Sequence, residues 1–155
     1  MLTWLQFQDV EAEMSQAAVA LLNQNEVAFL ATVSKRGRPR IHPFVPKIVD
    51  GHLVAFIMDN SPKLGDLKVR KKYGIHTLPG KEDEQFYLSG EATNCDNNTQ
   101  LREAAEIAMG FATGVDEHHI LHEFRLERAL WTTWLDFGTP DHRAFHKRWL
   151  YQTGT

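Results

Sequence analysis

Short apolar runs separated by turn residues occupy the first part of the chain. Residues 53–58 have the length and composition of a buried strand, and residues 27–34 are also short, apolar and partly β-branched. Lys35-Arg36-Gly37 is typical of a hairpin turn, and Asp50-Gly51 is a strong two-residue hairpin signal. The pattern therefore predicts a three-stranded meander whose middle strand covers residues 38–49.

Helical spacing precedes this meander. Apolar residues recur every three or four positions from Asp9 to about Gln24, and Asp9 is a candidate N-cap. The spacing predicts one amphipathic N-terminal helix within residues 1–25, with its apolar side covering the sheet.

Further helices and strands follow the meander. A helix is predicted to begin at Ser61, a good N-cap, with Pro62 in the first helical position, where its missing N–H costs nothing. Asn97 or Asn98 is predicted to cap another helix. Strands are predicted over residues 73–78, 85–94 and 119–135, although Glu127-Arg128-Ala129-Leu130 within the last of them could be helical. Residues 136–155 are predicted to form a C-terminal surface arm.

This order of elements predicts a single domain over residues 1–155, mainly β, in which flanking helices plug or cap a small barrel. The composition agrees, because 43% hydrophobic and 24% charged residues are typical of a folded protein.

Net charge and cysteine content narrow the expected partners. A formal charge of -3 gives no global attraction to nucleic acid or to an anionic membrane, so we expect neither as a partner. The single cysteine, Cys95, excludes a disulfide within the chain and suits a reducing compartment. The first residues lack the features of a signal peptide and no stretch approaches a membrane span, so a cytoplasmic location is expected.

The corner Ser61-Pro62-Lys63 is the first candidate for chemistry. A helix prefers acids in its first turn, yet Lys63 stands there beside a hydroxyl and open backbone N–H groups. All of these groups favour an anion, although a capped helix with a solvated lysine is the simpler alternative.

The middle strand of the meander carries three cations and a histidine: Arg38, Arg40, Lys47 and His42. Charges on an exposed edge strand often serve only to discourage aggregation. Here the Asp50-Gly51 hairpin pairs this strand with the one that delivers Ser61 and Lys63. Basic groups from both elements could therefore converge on one phosphate.

A histidine cluster, His118, His119 and His122, offers a third candidate. On a helix His118 and His122 would share a face and could hold a metal, whereas on a strand they would be partly solvated. No second group of ligands accompanies them, so we predict no metal site. The sequence also lacks the motifs of lipase-type hydrolases, Rossmann dehydrogenases and P-loop NTPases.

Taken in order, these segments resemble the pyridoxamine 5′-phosphate oxidase-like family of FMN-binding split barrels. The resemblance covers roughly the first two thirds of the chain. It is carried by residues 29–34 with the Gly37-Arg38-Pro39 turn, the basic strand 40–47, Ser61-Pro62-Lys63 with Asp66-Leu67, and residues 85–92 with their Ser89-Gly90-Glu91-Ala92 ending.

The resemblance implies a homodimeric Greek-key split β-barrel of six or so strands that holds FMN between two subunits. Ser61 and Lys63 would bind the FMN phosphate, and His42 stands where the family usually has an arginine, for which Arg38, Arg40 or another nearby cation would compensate. Lys47 matches a lysine that meets the substrate phosphate, and Gln85 would reach the flavin from the partner subunit. The backbone of five further residues would line the flavin: Pro43, Phe44, Val45, Phe56 and Ile57.

Departures from the family pattern bear on the reaction more than on the cofactor. Pro62 replaces a basic residue, Ile57 replaces a threonine, and the Arg-x-His substrate motif of the oxidases is absent from the tail. The resemblance therefore predicts an FMN-dependent oxidoreductase acting on an unidentified small molecule. Two alternatives stay open: a split barrel that binds the deazaflavin F420 or haem, the latter through the histidine cluster, and a non-catalytic flavin-binding module.

Overall fold

The computed structural model describes residues 1–111 and 113–152. Within these residues it contains four α-helices, one short 3-10 helix and eight β-strands. The α-helices are α1 (Trp4–Val10), α2 (Ala12–Asn25), α3 (Pro62–Val69) and α4 (Thr99–Ala108), and the 3-10 helix is Lys81–Asp83. The strands are β1 (Ala28–Val33), β2 (Pro39–Phe44), β3 (Lys47–Val49), β4 (His52–Met58), β5 (Lys72–Thr77), β6 (Gln85–Asn94), β7 (His119–Leu135) and β8 (Arg143–Leu150).

All eight strands belong to one antiparallel sheet in the order β2-β1-β5-β6-β7-β4-β3, with β8 paired to β7 outside this path. The two end strands, β2 and β3, are consecutive in the chain and are joined by only Val45 and Pro46. The sheet must therefore curl until its ends meet. No strand pairing joins β2 to β3 in the described chain, so the barrel has a seam there. The prediction of a mainly β barrel with flanking helices is confirmed.

The middle strand of the predicted meander is divided at this seam. Residues 38–49 were expected to form one strand, but β2 pairs with β1 whereas β3 pairs with β4. Pro43 and Pro46 each lack an N–H, so the backbone cannot continue one ladder through this segment.

Each end of the chain differs from its prediction. The single N-terminal helix is wrong, because the chain breaks at Glu11 into α1 and α2. Thr3, not Asp9, caps α1, and its side chain and Gln6 form a reciprocal capping box. The prediction of a C-terminal surface arm is wrong for residues 143–150, which form strand β8 along β7. The described sheet therefore has eight strands instead of the predicted six or so.

The barrel interior is filled by alternate side chains of its strands. On β4, Leu53, Ala55 and Ile57 are fully buried and belong to the main core, which α1, α2 and α3 close with Phe7, Met14 and Leu64 among others. The side chains of Val54 and Phe56 face the other way and belong to a second cluster beneath α4.

Gly90 marks a bulge between β6 and β7, where the register shifts. A β-carbon at this position would lie within 1.9 Å of the carbonyl oxygen of Arg125. Only glycine allows the two backbones to approach so closely, which explains why the Ser89-Gly90-Glu91-Ala92 segment has a glycine at position 90.

Within residues 1–111 and 113–152, no helix is long and apolar enough to cross a membrane.

Candidate functional site

The start of α3 is open on its N-terminal side. Ser61 has the extended backbone of an N-cap and Pro62 is the first helical residue, as predicted. The Ser61 hydroxyl, however, makes no capping hydrogen bond. Because Leu64 and Gly65 donate their N–H groups to the Ser61 carbonyl, the hydroxyl is left for another partner in the first turn.

Lys63 joins this helix to the edge strand β2. Its ammonium group donates a hydrogen bond of 3.3 Å to the carbonyl oxygen of Pro43. Partial burial lowers the pKa of Lys63. The two elements that were expected to supply basic groups to one site are therefore in contact, with the side chain of Lys63 between them.

A chain of polar side chains lies behind this contact. The Thr32 hydroxyl donates to the carboxylate of Asp66 at 2.8 Å and lies 3.3 Å from Nε2 of His42. Because the Thr32 proton is already given to Asp66, Nε2 of His42 must be the donor in the second bond. Arg40 approaches the same Asp66 carboxylate at 3.7 Å.

His42 is therefore a poor partner for an anion in its neutral form. Burial lowers its pKa, the charges of Lys63 and Arg40 lower it further, and Asp66 opposes them. With Nε2 donating to Thr32, the neutral ring has only an acceptor, Nδ1, left for a ligand. His42 can donate to a phosphate there only after it takes up a second proton.

A cleft of about 500 Å³ extends from the corner along α3 towards the β1–β2 turn. Arg36, Arg38 and Arg40 line one wall, and Pro62 and Gly65 of α3 line the other. Arg70 fixes the turn by donating to the carbonyl oxygens of Ser34 and Lys35, at 2.8 and 3.3 Å. The basic strand predicted from the sequence thus faces the corner across an open cleft.

The residues expected to line a flavin differ in what they can offer. Phe44 and Ile57 bury their side chains in the core, so only their backbone is available. The ring of Phe56 lies beneath α4, with the guanidinium of Arg102 over it at 5.2 Å from the ring centre. Val45 is exposed beside the seam.

Two predicted residues lie apart from the corner in the single chain. Lys47 begins β3 and pairs with the carboxylate of Glu26 at 3.7 Å. Gln85 begins β6 and donates to Asp83 at 3.0 Å. None of the hydrogen bonds described for Gln85 reaches α3 or β2.

Thr32 and Asp66 are the site residues that the sequence did not single out. Asp66 appeared only as part of the family resemblance, and its 4% exposure is unusual for a carboxylate. An acid on the inward face of a helix, next to Leu67, was the available signal. Its partner Thr32 is 34 positions away, so nothing local could identify the pair.

The histidine cluster is spread along the start of β7. His118 pairs with Asp59 at 2.8 Å, which raises its pKa, and His119 pairs with Asp116 at 2.7 Å. His122 is buried and donates from Nδ1 to the carbonyl oxygen of Ile120 at 3.1 Å. In residues 1–111 and 113–152, no three His, Cys, Asp or Glu side chains are grouped so as to hold a metal ion.

Solved structures with the same fold include proteins with different ligands. A heme binding protein from Mycobacterium smegmatis matches with a TM-score of 0.63 and 17% identity, over 86% of this chain and 57% of that one. The present chain thus spans little more than half of that protein. A pyridoxamine 5′-phosphate oxidase-related, FMN-binding protein from Nostoc punctiforme matches with a TM-score of 0.62 and 17% identity, over 88% and 96% of the two chains.

A third match is PhzG from Burkholderia lata, solved with tetrahydrophenazine-1-carboxylic acid, with a TM-score of 0.61 and 16% identity over 97% of this chain and 93% of that one. The search of curated proteins finds no match. The family model described as pyridoxamine 5′-phosphate oxidase matches residues 14–132. This match includes β1 to β6, all of α3 and most of β7. The chain therefore belongs to the pyridoxamine 5′-phosphate oxidase family.

Proposed function

We propose that this protein binds FMN non-covalently at the corner between α3 and β2. The observation that carries the proposal is the Lys63 ammonium beside a Ser61 hydroxyl that makes no capping bond, at the open N-terminus of α3. Together they offer a cation and a hydroxyl donor to one phosphate.

The donor set fits a flavin phosphate better than a neutral ligand. Lys63 is held close by its bond to the Pro43 carbonyl, a weak acceptor compared with a phosphate oxygen. Arg40 adds a second cation, which Asp66 partly neutralises at 3.7 Å. His42 supplies a charge only when protonated, so Lys63 and Arg40 compensate for the arginine that the family usually has there.

FMN, when bound, supplies hydride or electron transfer, and the chain's own residues bind and orient it. In this proposal the backbone of Pro43, Phe44 and Val45 lies along the ring system, and Phe56 and Ile57 contribute backbone from β4. The protein is then an oxidoreductase that acts on a small molecule, with Lys47 as a candidate substrate contact.

A homodimer belongs to the same proposal. The outer face of β1 and β2 is apolar, with Phe29 39% and Ile41 71% exposed, and Phe29 lies directly across from Pro43. A second copy packed on this face would cover these side chains. It would also allow the partner's Gln85 to approach the flavin.

The absorption spectrum of the purified protein, followed by titration of the apoprotein with FMN, tests the proposal. We expect flavin absorption bands and quenching of flavin fluorescence on binding. Protein that is colourless and leaves FMN fluorescence unchanged would contradict FMN binding. A Soret band would favour haem instead, and bound FMN that NADH and NADPH fail to reduce would favour a non-catalytic flavin module.

A further inference from the structure

A second polar cavity lies at the other end of α3. It has a volume of about 340 Å³ and is lined by Lys68 and Lys71 together with Asn94 and His122. Leu67, Ala92 and Thr93 complete its walls. Lys63 stands in the first turn of α3 and Lys68 in its last turn, so this cavity is separate from the FMN corner.

The cavity opens at one end of the barrel. Ala92 and Phe124 are buried core residues of β6 and β7. Asn94 and His122 are each two positions away from them, so they share the inward face of their strands. These two residues are also direct partners in the β6–β7 ladder. The barrel thus ends in a pair of polar side chains instead of another apolar layer.

His122 is only 4% exposed, and one of its ring nitrogens has no partner. Nδ1 donates to the carbonyl oxygen of Ile120 at 3.1 Å, which fixes the tautomer and leaves the lone pair on Nε2. No described residue hydrogen-bonds Nε2. Among the described residues, Asn25 Nδ2 is the only side-chain nitrogen or oxygen that is both fully buried and without a hydrogen-bond partner. The unpaired Nε2 of His122 is therefore accessible from the cavity.

The surrounding groups define what a ligand must carry. Two lysines favour an anion. Burial lowers the pKa of His122 and the Lys68 charge lowers it further, whereas the bond to the Ile120 carbonyl and the charge of Asp96 oppose this shift. Asn94 uses its side-chain oxygen to accept from the Asp96 N–H, so its amide nitrogen remains as a donor. The neutral His122 ring, in contrast, needs a hydrogen-bond donor. The ligand must therefore combine negative charge with an acidic proton.

We propose that this cavity binds hydrogen phosphate or a small phosphate monoester, with Lys68 and Lys71 holding the anionic oxygens and the P–OH group donating to Nε2 of His122. Near neutral pH a phosphate monoester retains its proton in part of the population, because its second pKa is about 6. The site is additional to the proposed FMN site and does not depend on it.

Sulfate is the discriminating probe, because it has nearly the shape of phosphate but carries no proton at neutral pH. Titrations by calorimetry, in parallel with NMR of the histidine ring signals, are carried out on the Lys63→Ala variant, so that the FMN corner contributes little. We expect inorganic phosphate to shift the His122 signal and to bind at least about tenfold more tightly than sulfate, since sulfate leaves Nε2 unpaired. His142, which is exposed on the surface, serves as the internal control.

Variants of the two exposed lysines test the site without disturbing the core. Lys68→Ala and Lys71→Ala should each weaken phosphate binding about tenfold or more, whereas Lys81→Ala, an exposed lysine outside the cavity, should not change it. His122→Phe should abolish the preference for phosphate over sulfate. Equal affinity for the two anions in the Lys63→Ala protein, or an unshifted His122 signal, would overturn the proposal. Failure of FMN to bind would leave these expectations unchanged.

Discussion

The ammonium group of Lys63 lies 3.3 Å from the carbonyl oxygen of Pro43. This single bond links the first turn of α3 to the edge strand β2, beside the seam of the barrel. A carbonyl is a weaker acceptor for a cation than a phosphate oxygen. The contact thus holds Lys63 in place for an anion that can replace the carbonyl.

Lys63→Ala should weaken FMN binding by about 10- to 150-fold, because a hydrogen bond to a charged group contributes about 1.5–3 kcal/mol. Fluorescence titration with FMN measures the change. Lys81→Ala is the control, since it removes the same charge from an exposed residue outside both cavities and should change the affinity by less than about threefold. Equal losses in both variants would show that general charge, not the corner, holds the flavin.

His42→Arg should strengthen FMN binding at pH 8, because arginine carries a permanent charge where the wild-type ring is neutral. The pKa of His42 lies below the ordinary 6.5, and a bound phosphate favours its protonated form. The affinity of the wild-type protein for FMN should therefore rise relative to that of the variant as the pH falls below about 6.5. FMN binding to both proteins is measured across this pH range, and the ratio of the two dissociation constants is compared. The protonation of the FMN phosphate affects both constants equally and therefore cancels in the ratio. A ratio that does not vary with pH would place His42 outside the phosphate site.

Gly90→Ala should destabilise the fold by at least about 2 kcal/mol, because the new methyl group would meet the backbone of Arg125. Gly65→Ala is the matched control. A β-carbon at Gly65 meets nothing within 4 Å, and the residue is helical, so this change should stabilise the protein by about 0.5–1 kcal/mol. Urea unfolding of the two variants should give shifts of opposite sign, and shifts of the same sign would contradict the bulge geometry.

Ile41→Lys should favour the monomer, because the proposed dimer buries this side chain. The symmetric dimer buries this isoleucine from both copies, and each contributes about 1.5–3 kcal/mol, so the dimer dissociation constant should rise by at least about 150-fold. Ile107→Lys changes a side chain of similar exposure, 77% against 71%, on α4 and should leave the association unchanged. Light scattering across a dilution series measures both, and a dimer that resists Ile41→Lys must use another face.

Elements with a strong local signal were predictable from the sequence. The start of α3 has its N-cap at Ser61 and its first residue at Pro62 as expected, and strands β6 and β7 have the predicted bounds. In each case the pattern of apolar residues and the turn or cap beside it agree. The Asp50-Gly51 turn has positive φ at both residues, as a two-residue hairpin turn requires.

The errors arise where distant contacts decide the structure. Residues 143–150 do not alternate apolar and polar residues as a typical strand does, and they form β8 by pairing with the long strand β7. Residues 38–49 are divided because their halves pair with strands on opposite sides of the seam. Within the site, Lys63 and His42 could be identified from sequence. The Thr32 hydroxyl that fixes the His42 tautomer could not, because that contact depends on packing between β1 and β2.

The seam between β2 and β3 gives the barrel a mechanical property that a fully paired barrel lacks. Its edges are held by the peptide bonds through Val45 and Pro46, and no ladder hydrogen bonds cross it in the described chain. Small separations of these edges therefore break no strand pairing. The β2 edge of the seam includes Pro43, whose carbonyl accepts the hydrogen bond from Lys63. A change in the width of the seam would therefore alter the distance between Lys63 and Pro43 while the strand pairing of the rest of the barrel stays intact.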